Sequence, residues 1–229
     1  MRLVFITMDV WRIRRGQVPT ALLRMATQRR PIRRAPGCTF AKLLGTGAGR
    51  TFTPHDADLL QWALLACWRT DEDAQASRTS PVICAWQRSS TGGFHALMRP
   101  LAAHGRWSRR EPFGAPEPEP WDGPVAALTR ARIKTRLSRK FWSSVPAVTE
   151  SLHAQPGLIG AIGIGEAPVG LQGTFSVWRS STAVRDFAYR SAPHLEAIRR
   201  TDETNWYAEE LFARFAIISS TGELGVSSR

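Results

Sequence analysis

Five histidines are the first places to look for chemistry: His55, His95, His104, His153 and His194. No two of them sit at metal-cage spacing with a third ligand nearby, and no Ser-His-Asp order with a nucleophile elbow is present, so a zinc enzyme or a hydrolase is disfavoured. Cys38, Cys67 and Cys84 lack Cys-x-x-Cys spacing and read as small buried hydrophobes. The run Gly45-Thr46-Gly47-Ala48-Gly49 lacks the Lys-Ser/Thr of a phosphate loop and reads as a tight turn. His194 stands apart. It follows Pro193, which sets a helix start, and shares the expected helix with Ile198, Trp206 and Leu211. A lone His on such a face is commonly a hydrogen-bonded core residue. One imidazole is also all that a haem requires, and an apolar, aromatic pocket with cations at its mouth suits an iron porphyrin with two propionates. The stripe Arg130, Arg132, Lys134 could supply that mouth.

The elements that must position these residues follow from a duplication. Gly45-Thr46-Gly47, Leu60-Gln61 and Trp68-Arg69-Thr70 recur in the same order as Gly163-Ile164-Gly165, Leu171-Gln172 and Trp178-Arg179-Ser180. Around them, alternation predicts strands over 1–10, 39–44, 59–68 and 94–101 in the first half, and over 125–134, 158–164, 174–178 and 213–219 in the second. Helical spacing predicts helices at 17–28 and after Thr70, then at 136–153, 183–190 and from Pro193 to about Glu210. Residues 106–124 hold five prolines and read as a linker or a long crossing loop.

Each half is therefore strand, helix, strand, strand, helix, strand, the ferredoxin-like order. Such an antiparallel sheet has helices on one face and needs a partner on the other. The expected fold is α+β: two tandem ferredoxin-like (βαββαβ) units, 1–105 and 125–229, packed sheet to sheet as a dimeric α+β barrel and joined by the Pro-rich 106–124. The ligand pocket is expected between sheet and helices of the second unit.

The 229 residues carry a net charge of +12, largely Arg, with 43% hydrophobic content. That is enough to build a core, and the field favours anionic partners. No signature of specific nucleic-acid recognition is present, which leaves solvated surface, an anionic membrane face or an acid-bearing cofactor. No run of about 18 apolar residues occurs, and the first ten residues read as a strand rather than a leader, so a cytoplasmic location with a peripheral membrane contact as an alternative is expected.

Three second-half strings carry a family resemblance: Gly123-Pro124-Val125-Ala126-Ala127-Leu128-Thr129-Arg130-Ala131-Arg132-Ile133-Lys134, Ile162-Gly163-Ile164-Gly165-Glu166-Ala167-Pro168, and Trp206-Tyr207-Ala208-Glu209-Glu210-Leu211-Phe212-Ala213-Arg214-Phe215. With Gly45–Gly49 followed by Phe52-Thr53-Pro54, they resemble the spheroidene monooxygenase family over nearly the whole chain. The resemblance implies haem-containing oxygenases that introduce oxygen at the end of an acyclic carotenoid, using O₂ and an electron donor such as ferredoxin or a reductase. Carried onto this chain, it implies haem b with His194 as axial ligand to the iron. Thr129 and Gln172 would be distal hydrogen-bond partners, and Arg130, Lys134, Arg214 and Trp206 cofactor contacts. The Arg-rich first helix and the acidic, Pro-rich Glu111–Trp121 depart from the family pattern and bear on the substrate. Two alternatives stand beside this reading. One is haem used as a Lewis acid, in aldoxime dehydration or nitrogen–nitrogen bond formation. The other is a non-catalytic haem or polyanion binder, and homo-oligomer formation is compatible with each.

Overall fold

In a computed structural model, residues 4–47, 56–117, 119–133, 150–166, 173–190 and 207–224 are described. The first half runs β1 (Phe5–Ile13), α1 (Val18–Thr27), α2 (Arg29–Arg33), β2 (Cys38–Gly47), β3 (Ala57–Trp68), α3 (Asp71–Ser77), α4 (Pro81–Ser89) and β4 (Ser90–Gly105). The second contributes β5 (Val125–Ile133), β6 (Leu158–Gly165), β7 (Gly173–Trp178), α5 (Ser181–Arg190) and β8 (Tyr207–Gly222). The eight strands close into one barrel in the order β1-β3-β2-β6-β7-β5-β8-β4. Within each half the spatial order of strands is fourth, first, third, second, as a ferredoxin-like unit requires. The two sheets meet along both edges, and this is the expected dimeric α+β barrel within one chain.

Each seam joins equivalent strands. β2 pairs antiparallel with β6 through Gly45↔Gly165, Thr46↔Ile164 and Gly47↔Gly163, so the two copies of the Gly-x-Gly repeat hydrogen-bond to each other across a local two-fold. β4 pairs antiparallel with β8 from Phe94↔Gly222 to Gly105↔Leu211. At that long seam the backbones approach closely. A Cβ on Gly222, whose φ is +78°, would lie 2.0 Å from the Gly93 carbonyl oxygen, and one on Gly105, at φ +92°, would lie 2.3 Å from that of Glu210. Only glycine meets both demands, of space and of left-handed backbone.

Alternation along each strand separates an inner face from an outer one. The inner faces build the barrel core, with Ile6, Met8, Val10, Leu44 and Leu65 meeting Ala126, Leu128, Ile162, Phe175 and Phe215. Trp107 and Phe113, from the Pro-rich segment expected as a linker, are buried in that same core. The outer face of the first half is covered by α1–α4, with Trp11, Trp62 and Trp68 of the strands packing against Trp86 of α4 and its neighbours. Trp11 and Trp86 stack at 5.3 Å, and Trp62 leans on Trp86 at 6.0 Å. Local signals act as expected: the Thr70 hydroxyl accepts from Asp73 N–H at 3.1 Å, Ser80 caps α4, and the Ser180 hydroxyl accepts from Ala183 N–H.

Two elements depart from the sequence reading. Gly45–Gly47, read as part of a tight turn, is the end of β2, held extended by its pairing with β6. The helix expected from Pro193 to about Glu210 lies outside the described residues up to 206, but from Tyr207 the chain is strand. Ile133↔Tyr207, Arg132↔Glu209 and Ala131↔Glu210 pair β8 with β5. Tyr-Ala-Glu-Glu-Leu-Phe has the composition of a helix, and a neighbouring strand overrides that weak preference. Leu211, expected on the His194 helix, is a core residue of β8.

Candidate active site

Strand register decides which residues can share a site. On β5, Ala126 and Leu128 face the barrel interior, while Val125 and Ala127 pack with the outer cluster of the second half. Period two therefore puts Arg130 inside and Thr129 outside. Arg130 is only 4% exposed, and its guanidinium is ion-paired with Glu209 and, at 3.0 Å, with Glu166. The guanidinium expected at a propionate mouth thus has its ion-pair partners within the chain. A cation on the inner face must be neutralised within the chain, and two carboxylates of the chain already do so.

The cluster continues from Arg130. Glu166 Oε2 accepts from Lys42 Nζ at 2.6 Å and Oε1 from Trp107 Nε1 at 2.7 Å, while Lys42 also reaches Ser108 Oγ at 2.6 Å. Glu209 accepts from the backbone N–H groups of Ser108 and Arg109. Both residues have left-handed backbones, φ 54° and 62°, so the carboxylate holds a strained turn in place. Arg130 lies 5.6 Å from the centre of the Trp107 ring. Burial pushes the Glu166 carboxyl upward. The hydrogen bonds from Lys42 and Trp107, with the charges of Lys42 and Arg130, outweigh burial and hold it below its ordinary value. Glu209 follows the same pattern, with the Arg109 and Ser108 amides and Arg130 holding its carboxyl down against burial. Beyond Gly45↔Gly165 β2 and β6 are no longer paired, and this ladder fills the gap. Among the described residues, Leu44, Trp107, Arg130, Ile164 and Glu166 pack together there with little space between them.

The outer face of the second half is different. Towards one rim it presents Ala127, Thr129, Thr174 and Ser176, with Phe212 and Arg214 from β8 beside them through the pairs Thr129↔Phe212 and Ala127↔Arg214. Thr129 and Phe212 are exposed and Arg214 is half-buried. The opposite part of the face is covered, as Trp178, Val125 and Ala161 pack under Leu152, Val184 and Phe187. The equivalent face of the first half is filled by four indoles. Here, among the described residues, the face carries small residues, one phenyl ring and one cation.

Several described strands end or begin at that rim. β5 ends there at Ile133, opposite Tyr207 where β8 begins; β6 ends there at Gly165, and β7 begins there at Gly173, opposite Arg130. Lys134, Gln172 and Trp206 each stand one residue from those strand ends, and His194 belongs to the segment that returns to Tyr207; all four lie outside the described residues. Among the other histidines, His95 Nδ1 lies 2.8 Å from Asp9 Oδ1, which is buried, His104 is exposed on β4, and His55 is outside the described residues. No group of three His, Cys, Asp or Glu able to hold a metal occurs among the described residues. Sequence reasoning missed Glu166 and Glu209. An Arg of inward parity next to inward Leu128 was the available signal, because it demands an acidic partner.

The spheroidene monooxygenase of Rhodobacter capsulatus is 37% identical to this chain over 211 residues, which span 90% of this chain and 87% of that protein. The chain belongs to the spheroidene monooxygenase family. It is thus of the monooxygenase type of oxidoreductase. The family's Cereibacter sphaeroides member is 35% identical over 190 residues, 82% of this chain and 58% of that protein, and the Rubrivivax gelatinosus member 34% over 188 residues. No family model matches. Among solved structures, an aldoxime dehydratase superposes with a TM-score of 0.60 at 12% identity, covering 94% of this chain and 81% of that one. A second aldoxime dehydratase, solved with butyraldoxime, reaches 0.61 at 10% identity over 97% and 83%. At such identities the likeness is one of fold.

Proposed function

We propose that the chain is a haem-dependent monooxygenase whose site is the outer face of the second-half sheet. The observation that carries this reading is the contrast between the two halves. One outer face is filled by Trp11, Trp62, Trp68 and Trp86, while among the described residues this part of the equivalent face carries the small side chains of half-buried Ala127 and Thr174 and exposed Thr129 beside Phe212 and Arg214. These residues fit a porphyrin. The small side chains admit a flat ring, Phe212 offers an apolar wall, and Arg214 offers a cation for a carboxylate. In this reading His194 holds the iron, Lys134 joins Arg214 at the carboxylates, and Trp206 packs against the ring. When bound, haem supplies a reducible iron that binds and activates O₂.

The chain's own groups do the rest. Thr129 and Gln172 donate hydrogen bonds on the reacting side, with Thr129 held by its ladder position between Thr174 and Phe212. The Arg130–Glu166–Glu209 ladder fixes the rim from which the segments carrying Lys134, Gln172 and Trp206 depart, so it is a positioning device behind the site. The relatives are named for spheroidene, and a long apolar polyene of that class is the substrate we assign. The electron donor is a separate protein such as a ferredoxin or a reductase, and O₂ is the co-substrate.

Titration of the purified chain with hemin tests the reading, alongside His194→Ala. An intense Soret band that shifts on reduction and with CO, and that is lost or strongly altered in the variant, supports it. Hemin that stays unbound by the wild type overturns it, and unchanged binding by the variant moves the ligand to another residue. Stoichiometric O₂ uptake with a polyene substrate separates oxygenation from redox-neutral dehydration on the same scaffold.

A further inference from the structure

The longest acid-free stretch of the chain is also strongly basic. Residues 10–55 contain ten Arg and Lys and no Asp or Glu, in a chain whose whole net charge is +12. The helices α1 and α2 lie within that stretch. α1 buries Ala21 and Met25 and α2 buries Ile32, against the tryptophan-filled face of the first half. The opposite side of α1 is apolar as well: Leu22 is 39% and Leu23 63% exposed. A surface helix normally turns polar residues outward, and a two-sided apolar helix implies a second apolar environment. Leu23 on α1, Arg30 on α2 and Arg34 just after α2 are all exposed. Arg15 precedes α1, and Arg33 is exposed beside Arg34.

We infer that α1 and α2 form a docking surface for an anionic phospholipid bilayer, with Leu22 and Leu23 entering the acyl boundary and the flanking arginines contacting lipid phosphates. Two features select this partner. The charge is complementary to an anionic surface, with no acid in the stretch to oppose it. Leu22 and Leu23 stand exposed between the arginines with no aromatic side chain exposed beside them, which suits a bilayer interface, whereas nucleic acids are gripped by cations and stacking aromatic rings. No helix among the described residues is long and apolar enough to cross a membrane, so the contact is one of lying on the surface. The inference rests on the first half alone and stands independently of the haem site.

Co-sedimentation of the full chain with vesicles tests it, using phosphatidylcholine mixed with phosphatidylglycerol, and phosphatidylcholine alone, at low and high salt. The wild type is expected to partition onto the anionic vesicles only and to be released by salt. Arg30→Gln/Arg34→Gln is expected to lower partitioning by roughly 25-fold, about fivefold for each arginine. Leu22→Ser/Leu23→Ser removes the apolar part and is expected to lower it on the order of tenfold, while leaving retention on heparin unchanged. Both pairs are on the surface, and unchanged thermal melting checks that they fold. Wild type that stays in the supernatant overturns the inference. So does an unchanged partition for the leucine pair, and tighter binding to an oligonucleotide than to the anionic vesicles would reassign the surface to nucleic acid.

Discussion

Replacing Arg130 by Met isolates the contribution of the cation ladder at the barrel end. The side chains have similar length and Met has no charge, so the change removes one buried cation without opening a large void. Breaking a buried ion pair costs about 3–5 kcal/mol when the remaining charge is orphaned. Here neither acid is orphaned: Glu166 keeps Lys42 and Trp107, and Glu209 keeps the amides of Ser108 and Arg109. Glu166 is also 31% exposed, against 11% for Glu209, so water takes up part of its loss. The expected destabilisation is therefore at the lower end, about 2–3 kcal/mol. With an urea m-value of roughly 2–3 kcal/mol/M, the unfolding midpoint should fall by about 1 M. The pH dependence supplies a second readout. Both carboxyls are held below the ordinary value of 4.5 in the folded chain. Their contribution is present above that value and is lost as pH falls through the depressed folded values. In Arg130→Met one of the groups holding them down is gone, so the gap between wild type and variant should close as the solution is acidified. Urea unfolding followed by tryptophan fluorescence, at neutral pH and in an acid series, measures both. A destabilisation under about 0.5 kcal/mol, or a gap that stays constant into acid, would refute the view that this ladder holds the barrel end.

Gly222→Ala places a Cβ against the Gly93 carbonyl in a left-handed backbone; a cost of about 2 kcal/mol and a Tm lowered by about 4–8 °C are expected by calorimetry. Thr129→Trp fills the floor of the proposed site from an exposed position; stability should stay within about 0.5 kcal/mol, while hemin affinity falls at least about tenfold in a spectroscopic titration. Burial, opposed by a hydrogen bond to the Phe40 carbonyl and the charge of Arg33, pushes the Cys38 thiol up from 9.0 to about 11. At pH 8 the folded chain should alkylate there about a hundredfold more slowly than the unfolded chain, as peptide mapping after iodoacetamide with and without urea would reveal.

The barrel was legible because period-two strands and a repeated Gly-x-Gly leave few ways to pair. Thr39–Leu44, Leu59–Trp68, Val125–Lys134 and Leu158–Ile164 were all placed within a few residues of β2, β3, β5 and β6. The helix extended to Glu210 was misread because the acidic, aromatic sequence carries no breaker at Tyr207, and the pairing that makes it strand comes from residues 131–133, far away in sequence. For the site, parity was the neglected information. Thr129 and Arg130 are adjacent on a strand and so face opposite sides, and one ligand cannot touch both from a single face. The ladder residues Glu166 and Glu209 were invisible individually, since their role appears only once β5, β6, β8 and the turn at Ser108 converge.

Duplication explains why one half can be sacrificed to structure. In a barrel closed by β2·β6 and β4·β8, each half completes the other's core, so both inner faces must remain apolar and well packed. The outer faces carry no such shared requirement. One copy filled its outer face with Trp11, Trp62, Trp68 and Trp86, and its helices became a rigid wall. The other kept Ala127, Thr129 and Thr174 on the floor and a cation at Arg214, at the cost of local apolar burial. That asymmetry predicts unequal tolerance. A tryptophan-to-alanine change in the first half, such as Trp86→Ala, removes a fully buried indole that stacks on Trp11 and should cost about 3–5 kcal/mol. Enlarging a second-half floor residue should instead leave the melting curve in place and remove ligand binding. Equal destabilisation by both kinds of change would mean that both outer faces are structural and that the site lies elsewhere.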